Sequence, residues 1–298
     1  MKYYSSGKLL LTSEYMVLAG SLCLSLPTKL GQTMEVNQNA KNTISWKSFD
    51  NKGELWFSNE FKISDLEPTQ SKNPGVEMRL TKLLSYIKKN GSIDFDNVGY
   101  AIETHLQFDR NWGLGSSSTL VANLAKWADV DGIDLLHSAF QGSGYDVATG
   151  IENETILYQL LDKPTWRSTV FNPSFSDELY FVYLGRKQNS EVEVNRFNKN
   201  TITKSQKKIF TDFTNSILTC TTINSFEQVL TEHEQALSNI LHRQTIKEER
   251  FEDYPRSIKS LGAWGGDFIL VTGDEESQTY FKNKGYDTIV PWHEMIHV

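Results

Sequence analysis

Cysteine is scarce in this sequence of 298 residues, where Cys23 and Cys220 stand far apart. This spacing excludes a disulfide framework and a CxxC metal pair, and we expect both residues to be buried, reduced thiols. No stretch approaches the roughly 18 consecutive apolar residues that a membrane helix needs. The N-terminal segment also lacks the pattern of a signal peptide. We therefore expect a cytoplasmic protein with no membrane partner.

A surplus of positive charge is missing as well. The formal net charge is −7, which argues against nucleic acid as the main partner but leaves room for a small anionic substrate held by local Lys and Arg. At roughly 100–200 residues per domain, the length suggests about two domains. The turn-rich stretch 162–165 gives the expected boundary, with domains at residues 1–165 and 166–298. The sequence leaves the oligomeric state open between monomer and homodimer.

Hydrophobic periodicity indicates mixed secondary structure. Alternation over residues 98–108 predicts a strand, and Leu80, Leu83, Leu84 and Ile87 have helical spacing. A second helix is predicted after residue 119. The later part of the chain predicts a strand over 178–184, helices over 205–220 and 225–243, and a strand over 267–271 that follows the glycine cluster 262–266. We expect an α+β fold with two layers in each half.

A glycine-serine loop lies between the predicted strand and helix. Its residues are Gly113, Leu114, Gly115, Ser116, Ser117 and Ser118. Glycines let backbone N–H groups approach phosphate oxygens, and the N-terminus of the following helix attracts anions. The serine hydroxyls add donors and a candidate Mg²⁺ ligand, which we place at Ser117. No Gly-Lys-Ser/Thr follows, so this is not a Walker loop; taken alone, it also fits a turn whose serine caps a helix.

Two other residues have the chemistry of phosphoryl transfer. Asp146, in the turn Gly142-Ser143-Gly144-Tyr145-Asp146, could accept a proton from a substrate hydroxyl. Lys8, which opens an apolar run, could offset charge on the transferred phosphate. Each has a simpler interpretation when taken alone, Asp146 as a turn residue and Lys8 as a surface cation.

Taken in order, these segments resemble the motifs of the GHMP kinases. Residues 6–18, which contain Lys8 and Glu14, look like the first motif, Pro-Gly-Lys…Gly-Glu-His-x-Val. Residues 113–118 match the second, the phosphate loop. Residues 259–267 are similar to the third, of the type Lys-x-x-Gly-Ala-Gly-Gly-Gly. Within the family, residues 137–148 and 185–190 look most like phosphomevalonate kinases.

The resemblance implies an N-terminal mixed α/β domain and a ferredoxin-like C-terminal domain, with ATP and Mg²⁺ as cofactors. By the matched positions, Asp146 would be the base, Lys8 its helper and Ser117 a Mg²⁺ or phosphate ligand. The expected substrate or active-site floor residues are Gly144, Ser190, Gly262, Ala263, Gly265 and Gly266.

Four positions depart from the family pattern. Ser6 replaces a Pro, Tyr15 a His and Trp264 a Gly, so that the third loop is expected to be tighter or differently turned. Leu135 stands where mevalonate kinases have a Mg²⁺-binding Glu, which leaves Asp134 as a weak candidate for that carboxylate.

The expected function is ATP-dependent phosphorylation of a small metabolite, with mevalonate or phosphomevalonate as the leading substrates. A GHMP kinase for homoserine or a sugar, a diphosphomevalonate decarboxylase and a non-catalytic ligand sensor remain as alternatives. Some Lys and Arg residues could hold a second phosphate or be ordinary surface charges: Arg110, Arg167, Arg186 and Lys187.

The last residues also fit a zinc-peptidase pattern, His293-Glu294-Met295-Ile296-His297. On a helix its two histidines would share one face and bind Zn²⁺. A short terminal helix is marginal in water, and Pro291-Trp292 indicates the end of a strand instead. We therefore interpret the match as coincidental.

Overall fold

The computed structural model describes residues 1–185 and 190–297, without the side chains of residues 190 and 191. The described chain divides into two compact units, and neither is a continuous stretch of sequence. The first comprises Met1–Gly7, Leu30–Arg110 and Leu114–Asn153, and the second comprises Lys8–Lys29, Asn111–Gly113 and the residues from Glu154 onward.

The first unit contains a sheet and a layer of helices. Its elements are β1 (Lys2–Leu10) and β2 (Cys23–Asn39), each in part, with β3 (Thr43–Phe49), β4 (Leu55–Lys62), α1 (Pro74–Asn90), β5 (Gly99–Leu106), α2 (Ser116–Ala128), α3 (Gly132–Ala139) and α4 (Tyr145–Glu152). The strands follow the order β4-β3-β5-β2, in which only the β3–β5 pair is parallel among those described. β1 also pairs with β2.

Packing in the first unit follows the predicted periodicity. α1 buries Leu80, Leu83, Leu84 and Ile87, the residues with helical spacing in the sequence. The Asn73 side chain caps its N-terminus and proline occupies its first turn, as helix starts favour. Trp127 of α2 meets Tyr100 of β5 edge-on, with ring centroids 5.3 Å apart. The helices therefore cover the sheet through large aromatic contacts.

The second unit includes the end of β1 and the first residues of β2, which pair with β6. Its other elements are β6 (Ile156–Leu160), β7 (Pro164–Ser168), β8 (Leu179–Tyr183), α5 (Ser190–Arg196), α6 (Lys204–Thr219), α7 (Ile223–Leu241), α8 (Ile246–Arg250), β9 (Ile258–Ser260), β10 (Phe268–Thr272), α9 (Glu275–Asn283), β11 (Ile289–Pro291) and α10 (Trp292–Met295). The stretch 162–165, predicted as a boundary, forms the turn of the β6–β7 hairpin and the start of β7. The division at residue 165 stays a prediction.

A separate antiparallel sheet in the second unit has the order β11-β8-β10-β9. In chain order this is fourth, first, third, second, with α5–α8 after the first strand and α9 after the third. That arrangement is the ferredoxin-like split βαβ topology. The predicted ferredoxin-like fold of the C-terminal region and the α+β class are confirmed.

Both cysteines are free thiols. Cys23 is fully buried, as expected, whereas Cys220 is partly exposed because it lies just past the end of α6. Among the helices of the described residues, none is long and apolar enough to cross a membrane.

Candidate functional site

The glycine-serine loop has the predicted strand–loop–helix setting. β5 ends at Leu106 and α2 begins at Ser116, with Gly115 in the left-handed conformation as the N-cap residue (φ 90°). Within the described part of the chain, no side chain caps this helix end. The first backbone N–H groups of a helix lack intrahelical acceptors and carry the positive end of its dipole. The loop therefore presents an N-terminus suited to a phosphate group.

The loop hydroxyls divide into two kinds. Ser117 is exposed, so that its hydroxyl is accessible to a ligand. Ser118 is buried, and its Oγ donates to the Gly115 carbonyl at 3.0 Å. Thr119 Oγ1 donates to Gln32 Oε1 at 3.0 Å. Ser118 and Thr119 thus hold the start of α2 in place, and Ser117 fits the ligand role predicted for it.

Asp146 lies in the first turn of a second glycine-capped helix, α4. Gly144 is its N-cap residue, also in the left-handed conformation (φ 88°). Asp146 is partly exposed, and its Oδ1 accepts a hydrogen bond from the Val147 N–H at 3.0 Å. α2 and α4 pack against each other within the first unit. The predicted base therefore occupies a helix start that packs against α2, and its carboxylate is partly accessible to a ligand.

Lys8 contacts the phosphate loop within the second unit. Its Nζ donates to the Gly113 carbonyl at 3.0 Å, so the cation of the first motif touches the backbone of the second. Gly113 has a left-handed backbone (φ 68°). The loop is further anchored in this unit, where Trp112 meets Phe268 edge-on at 5.4 Å and Tyr183 Oη donates to the Asn111 carbonyl at 3.1 Å.

Asp267 is a site residue to which the sequence assigned no role. It is buried and has a positive φ of 54°, uncommon for a residue other than glycine. A Cβ added to Gly113 would lie 2.3 Å from Asp267 Oδ2, so only glycine fits there. Lys8, Gly113 and Asp267 thus bring the three motifs together. The third motif marked this position, but its contact with residue 113 depends on tertiary packing.

The third glycine loop joins β9 to β10. Gly262 and Gly265 have left-handed backbones, with φ values of 70° and 90°, while Ala263 is partly exposed and Gly266 is buried. Trp264 replaces a glycine of the family pattern, and its side chain is buried in a cluster with Tyr15, Met16, Phe210 and Leu237. The loop is thus anchored to the core by an aromatic side chain at its tip.

A buried charged cluster lies behind this loop. Lys259 Nζ contacts Glu14 Oε1 at 2.5 Å and Glu234 Oε1 at 3.2 Å. Burial raises the pKa of Glu14 to about 7, although Lys259 opposes the shift. Burial alone would lower the pKa of Lys259, but the two carboxylates outweigh it and raise that pKa. The cluster joins the first and third motifs.

Glu234 and its neighbour His233 lie on α7, and neither was predicted from the sequence. His233 falls at helical spacing with the buried residues Phe226, Leu230 and Leu237. A titratable residue on an apolar helix face was the signal that could have identified this cluster.

The residues present fit a triphosphate better than they fit a metal cage. Among the residues described, no group of three or more His, Cys, Asp or Glu side chains is placed to hold a metal ion. Mg²⁺ in phosphoryl-transfer sites is commonly held by one or two protein groups plus substrate phosphates and water, so an exposed Ser117 is compatible with it. Leu135 is fully buried, and Asp134 is exposed in the first turn of α3.

Several other predicted positions have different surroundings. The side chain of Ser190, together with Arg186 and Lys187, lies outside the described residues. Arg110 stacks 3.6 Å from the ring centroid of Trp56, and Arg167 is exposed on β7.

The HExxH match does not form a metal-binding helix face. α10 ends at Met295, and Ile296 forms a β-bridge with Thr28, so that His297 lies beyond the helix. His293 and Glu294 are exposed. The interpretation of this match as coincidental agrees with the geometry.

The fold is shared with solved kinases of the GHMP type. Streptococcus pneumoniae phosphomevalonate kinase, solved in complex with phosphomevalonate and AMPPNP, is 16% identical, with a TM-score of 0.72 over 98% of this chain and 99% of its own. Methanococcus jannaschii mevalonate kinase is 17% identical, with a TM-score of 0.68 over 97% and 96%. A D-glycero-D-manno-heptose 1-phosphate kinase from Bacteriodes thetaiotaomicron is 11% identical, with a TM-score of 0.64 over 97% and 94%.

No protein-family model matches the sequence, and no curated protein matches it significantly. The structural similarity extends over nearly the whole chain, and it confirms the two-domain GHMP kinase fold expected from the motifs.

Proposed function

We propose that this chain, which has the GHMP kinase fold, is an ATP-dependent kinase of a small metabolite. The observation that carries the proposal is the meeting of Lys8, Gly113 and Asp267, one residue from each of three motifs. A phosphate loop alone would fit any anion site. A loop whose backbone contacts a lysine has a cation beside the bound phosphates, as phosphoryl-transfer sites do, and Asp267 packs against the same glycine.

Each residue has a defined role in the proposed reaction. The amides at the start of α2 and the exposed Ser117 bind the phosphates of ATP. Lys8 offsets negative charge on the transferred phosphoryl group. Asp146 orients the acceptor oxygen and accepts its proton. Mg²⁺, when bound through Ser117 and the phosphates, would neutralise further charge on the nucleotide.

The proposed acceptors are mevalonate and phosphomevalonate. Support comes from the match of residues 142–146 to phosphomevalonate kinases and from the neighbours that bear these names. Since a heptose 1-phosphate kinase shares the fold, a sugar phosphate is the natural competing acceptor in a screen.

The test is ADP release from ATP and Mg²⁺ by the full chain, with mevalonate, phosphomevalonate, homoserine, galactose and a sugar 1-phosphate as acceptors. CO₂ release is followed in parallel, since it would identify a decarboxylase. We expect one acceptor to raise ADP release well above the rate with ATP alone.

The variant Asp146→Asn should lower kcat by on the order of 10²–10⁴, because proton transfer to a positioned carboxylate is lost. Asp129→Asn is the matched control, since Asp129 is an exposed residue just past α2 in a left-handed conformation that Asn also tolerates. Near-normal turnover in Asp146→Asn, or nucleotide binding without ADP release for every acceptor, would contradict the proposal.

A further inference from the structure

Tyr15 has a conformation that its surroundings must hold in place. Its φ and ψ are 60° and −43°, sparsely populated values for a side chain of this size. Its ring is buried in the cluster with Met16, Phe210, Leu237 and Trp264. A bulky residue with such a backbone persists only where several contacts fix it, and such positions concentrate at functional sites.

The Tyr15 hydroxyl joins two elements of the second unit. It accepts a hydrogen bond from the Trp264 N–H at 3.0 Å, at the tip of the third glycine loop. It donates to Glu193 Oε2 on α5 at 3.1 Å. Tyr15 and Trp264, two of the residues that depart from the family pattern, are therefore direct partners. The main chain of the loop is connected through one hydroxyl to a carboxylate.

Glu193 is itself held by two arginines. Arg243 Nη1 lies 2.9 Å from Oε2, and Arg196 Nη1 lies 3.1 Å from Oε1. Burial alone would raise the pKa of Glu193, but the hydrogen bonds from Arg243 and Tyr15 outweigh it and keep that pKa below its usual value. The carboxylate stays charged at neutral pH. A charged acceptor makes the bond from Tyr15 stronger than a neutral one would.

The third glycine loop links the hydrogen bond at Trp264 to the phosphate loop. Trp264 and Asp267 belong to one short connection from β9 to β10, and Asp267 lies against Gly113, whose carbonyl accepts from Lys8. The path from Glu193 to Gly113 therefore consists of two hydrogen bonds, four residues of main chain and one close contact.

We propose that Tyr15 is a positioning residue, which uses Glu193 to hold the third glycine loop in the shape that places Asp267 against the phosphate loop. The inference rests on the proposed kinase function and adds a residue that touches neither reacting atom. Because it acts on the loop through a hydroxyl, loss of that hydroxyl alone should alter turnover.

The test compares Tyr15→Phe with Tyr254→Phe in the full chain. Tyr254 is another buried tyrosine of the same unit, and its Oη donates to the Thr272 carbonyl at 2.6 Å. Both variants lose a buried hydroxyl that donates a hydrogen bond. Tyr15→Phe should lower kcat about tenfold with a smaller change in the KM for ATP, because a bond to a charged group is lost. Tyr254→Phe should keep the wild-type kcat.

Glu193→Gln and Glu193→Ala test whether the Tyr15 hydroxyl needs an acceptor at position 193. Gln retains an acceptor for the Tyr15 hydroxyl and should recover most of the activity that Ala loses. Wild-type kcat in Tyr15→Phe and in Glu193→Ala would overturn the inference. If Tyr15→Phe does not fold, the two Glu193 variants decide the result.

Amide hydrogen exchange separates this inference from the kinase assignment. The Trp264 amide should exchange about tenfold faster in Tyr15→Phe than in the wild type or Tyr254→Phe, whatever the acceptor. Unchanged exchange would refute the positioning role even in an active kinase. If the Trp264 amide exchanges faster in Tyr15→Phe but the wild type releases no ADP with any acceptor, the result would support the role of Tyr15 in the loop and refute the proposed activity.

Discussion

His233 shows how one buried residue makes stability depend on pH. Its Nε2 accepts the Ser13 N–H at 2.9 Å and lies 3.5 Å from Glu14 Oε2. Burial, together with the positive charge of Lys259, lowers the pKa of His233 well below its usual value. The unfolded chain therefore binds a proton below about pH 6.5 that the native chain does not bind, so the free energy of unfolding falls as pH decreases.

Glu14 acts in the opposite direction. Its raised pKa of about 7 means that the native chain holds a proton that the unfolded chain has lost, from about pH 4.5 upward. Its contribution to stability therefore decreases as pH rises toward 7. Only a variant at residue 233 isolates the histidine effect from that of the carboxyl.

In His233→Gln, the amide oxygen can still accept the Ser13 N–H, but the titrating imidazole is gone. Between pH 7.5 and 5.5 this variant should lose about 1 kcal/mol less unfolding free energy than the wild type, as measured by denaturant unfolding at both pH values. His293→Gln, at an exposed position, should keep the wild-type pH dependence. Equal pH dependence in His233→Gln and the wild type would show that His233 is not the titrating group.

At the scale of elements, Lys126 connects α2 to β1 and α4 by hydrogen bonds within the first unit. Its Nζ donates to the Tyr4 carbonyl of β1 at 2.9 Å, to the Gly150 carbonyl of α4 at 2.8 Å and to Ser5 Oγ at 3.2 Å. Burial lowers its pKa to about 8. The lysine thus stabilises the packing of the two helices that carry the loop and Asp146.

Lys126→Met keeps the length of the side chain and removes these three hydrogen bonds. Because two partly buried carbonyls lose their donor, we expect a loss of about 2 kcal/mol in unfolding free energy, measured with denaturant. Lys47→Met removes an exposed ion pair with Glu103 at 3.0 Å and should change stability by less than about 1 kcal/mol. If both variants lost the same unfolding free energy, the three hydrogen bonds of Lys126 would contribute no more than an exposed ion pair.

Element type was predictable from sequence, and element assembly was not. The strand–loop–helix around Gly113 and the helices α6 and α7 follow from periods of two and 3.6 residues, which are local properties. The contact of Asp267 with Gly113 and the pairing of Lys259 with Glu14 depend on tertiary packing between distant segments. The burial of Ser118 depends on the packing of α2. These contacts carry little local signal.

At the scale of the whole molecule, net charge governs solubility. The sequence carries a formal charge of −7 at pH 7 and has an isoelectric point near 5.5. Proteins near zero net charge associate more readily. We expect light scattering at fixed concentration and salt to be highest near pH 5.5 and to fall at pH 7.5. Scattering that rises steadily from pH 5.5 to 7.5 would contradict this expectation.

The interleaved make-up of the two compact units has a consequence for synthesis. Residues 8–29 belong to the same unit as the residues from Glu154 onward, although the ribosome produces them well before those residues. The second unit therefore cannot be complete until its strand β11 has emerged. While residues 30–110 emerge and can fold, the first residues of β2 lack their partner strand β6, and Glu14 lacks Lys259. A cut near residue 153 would separate Glu14 from Lys259, so the two halves of this chain are not separable modules.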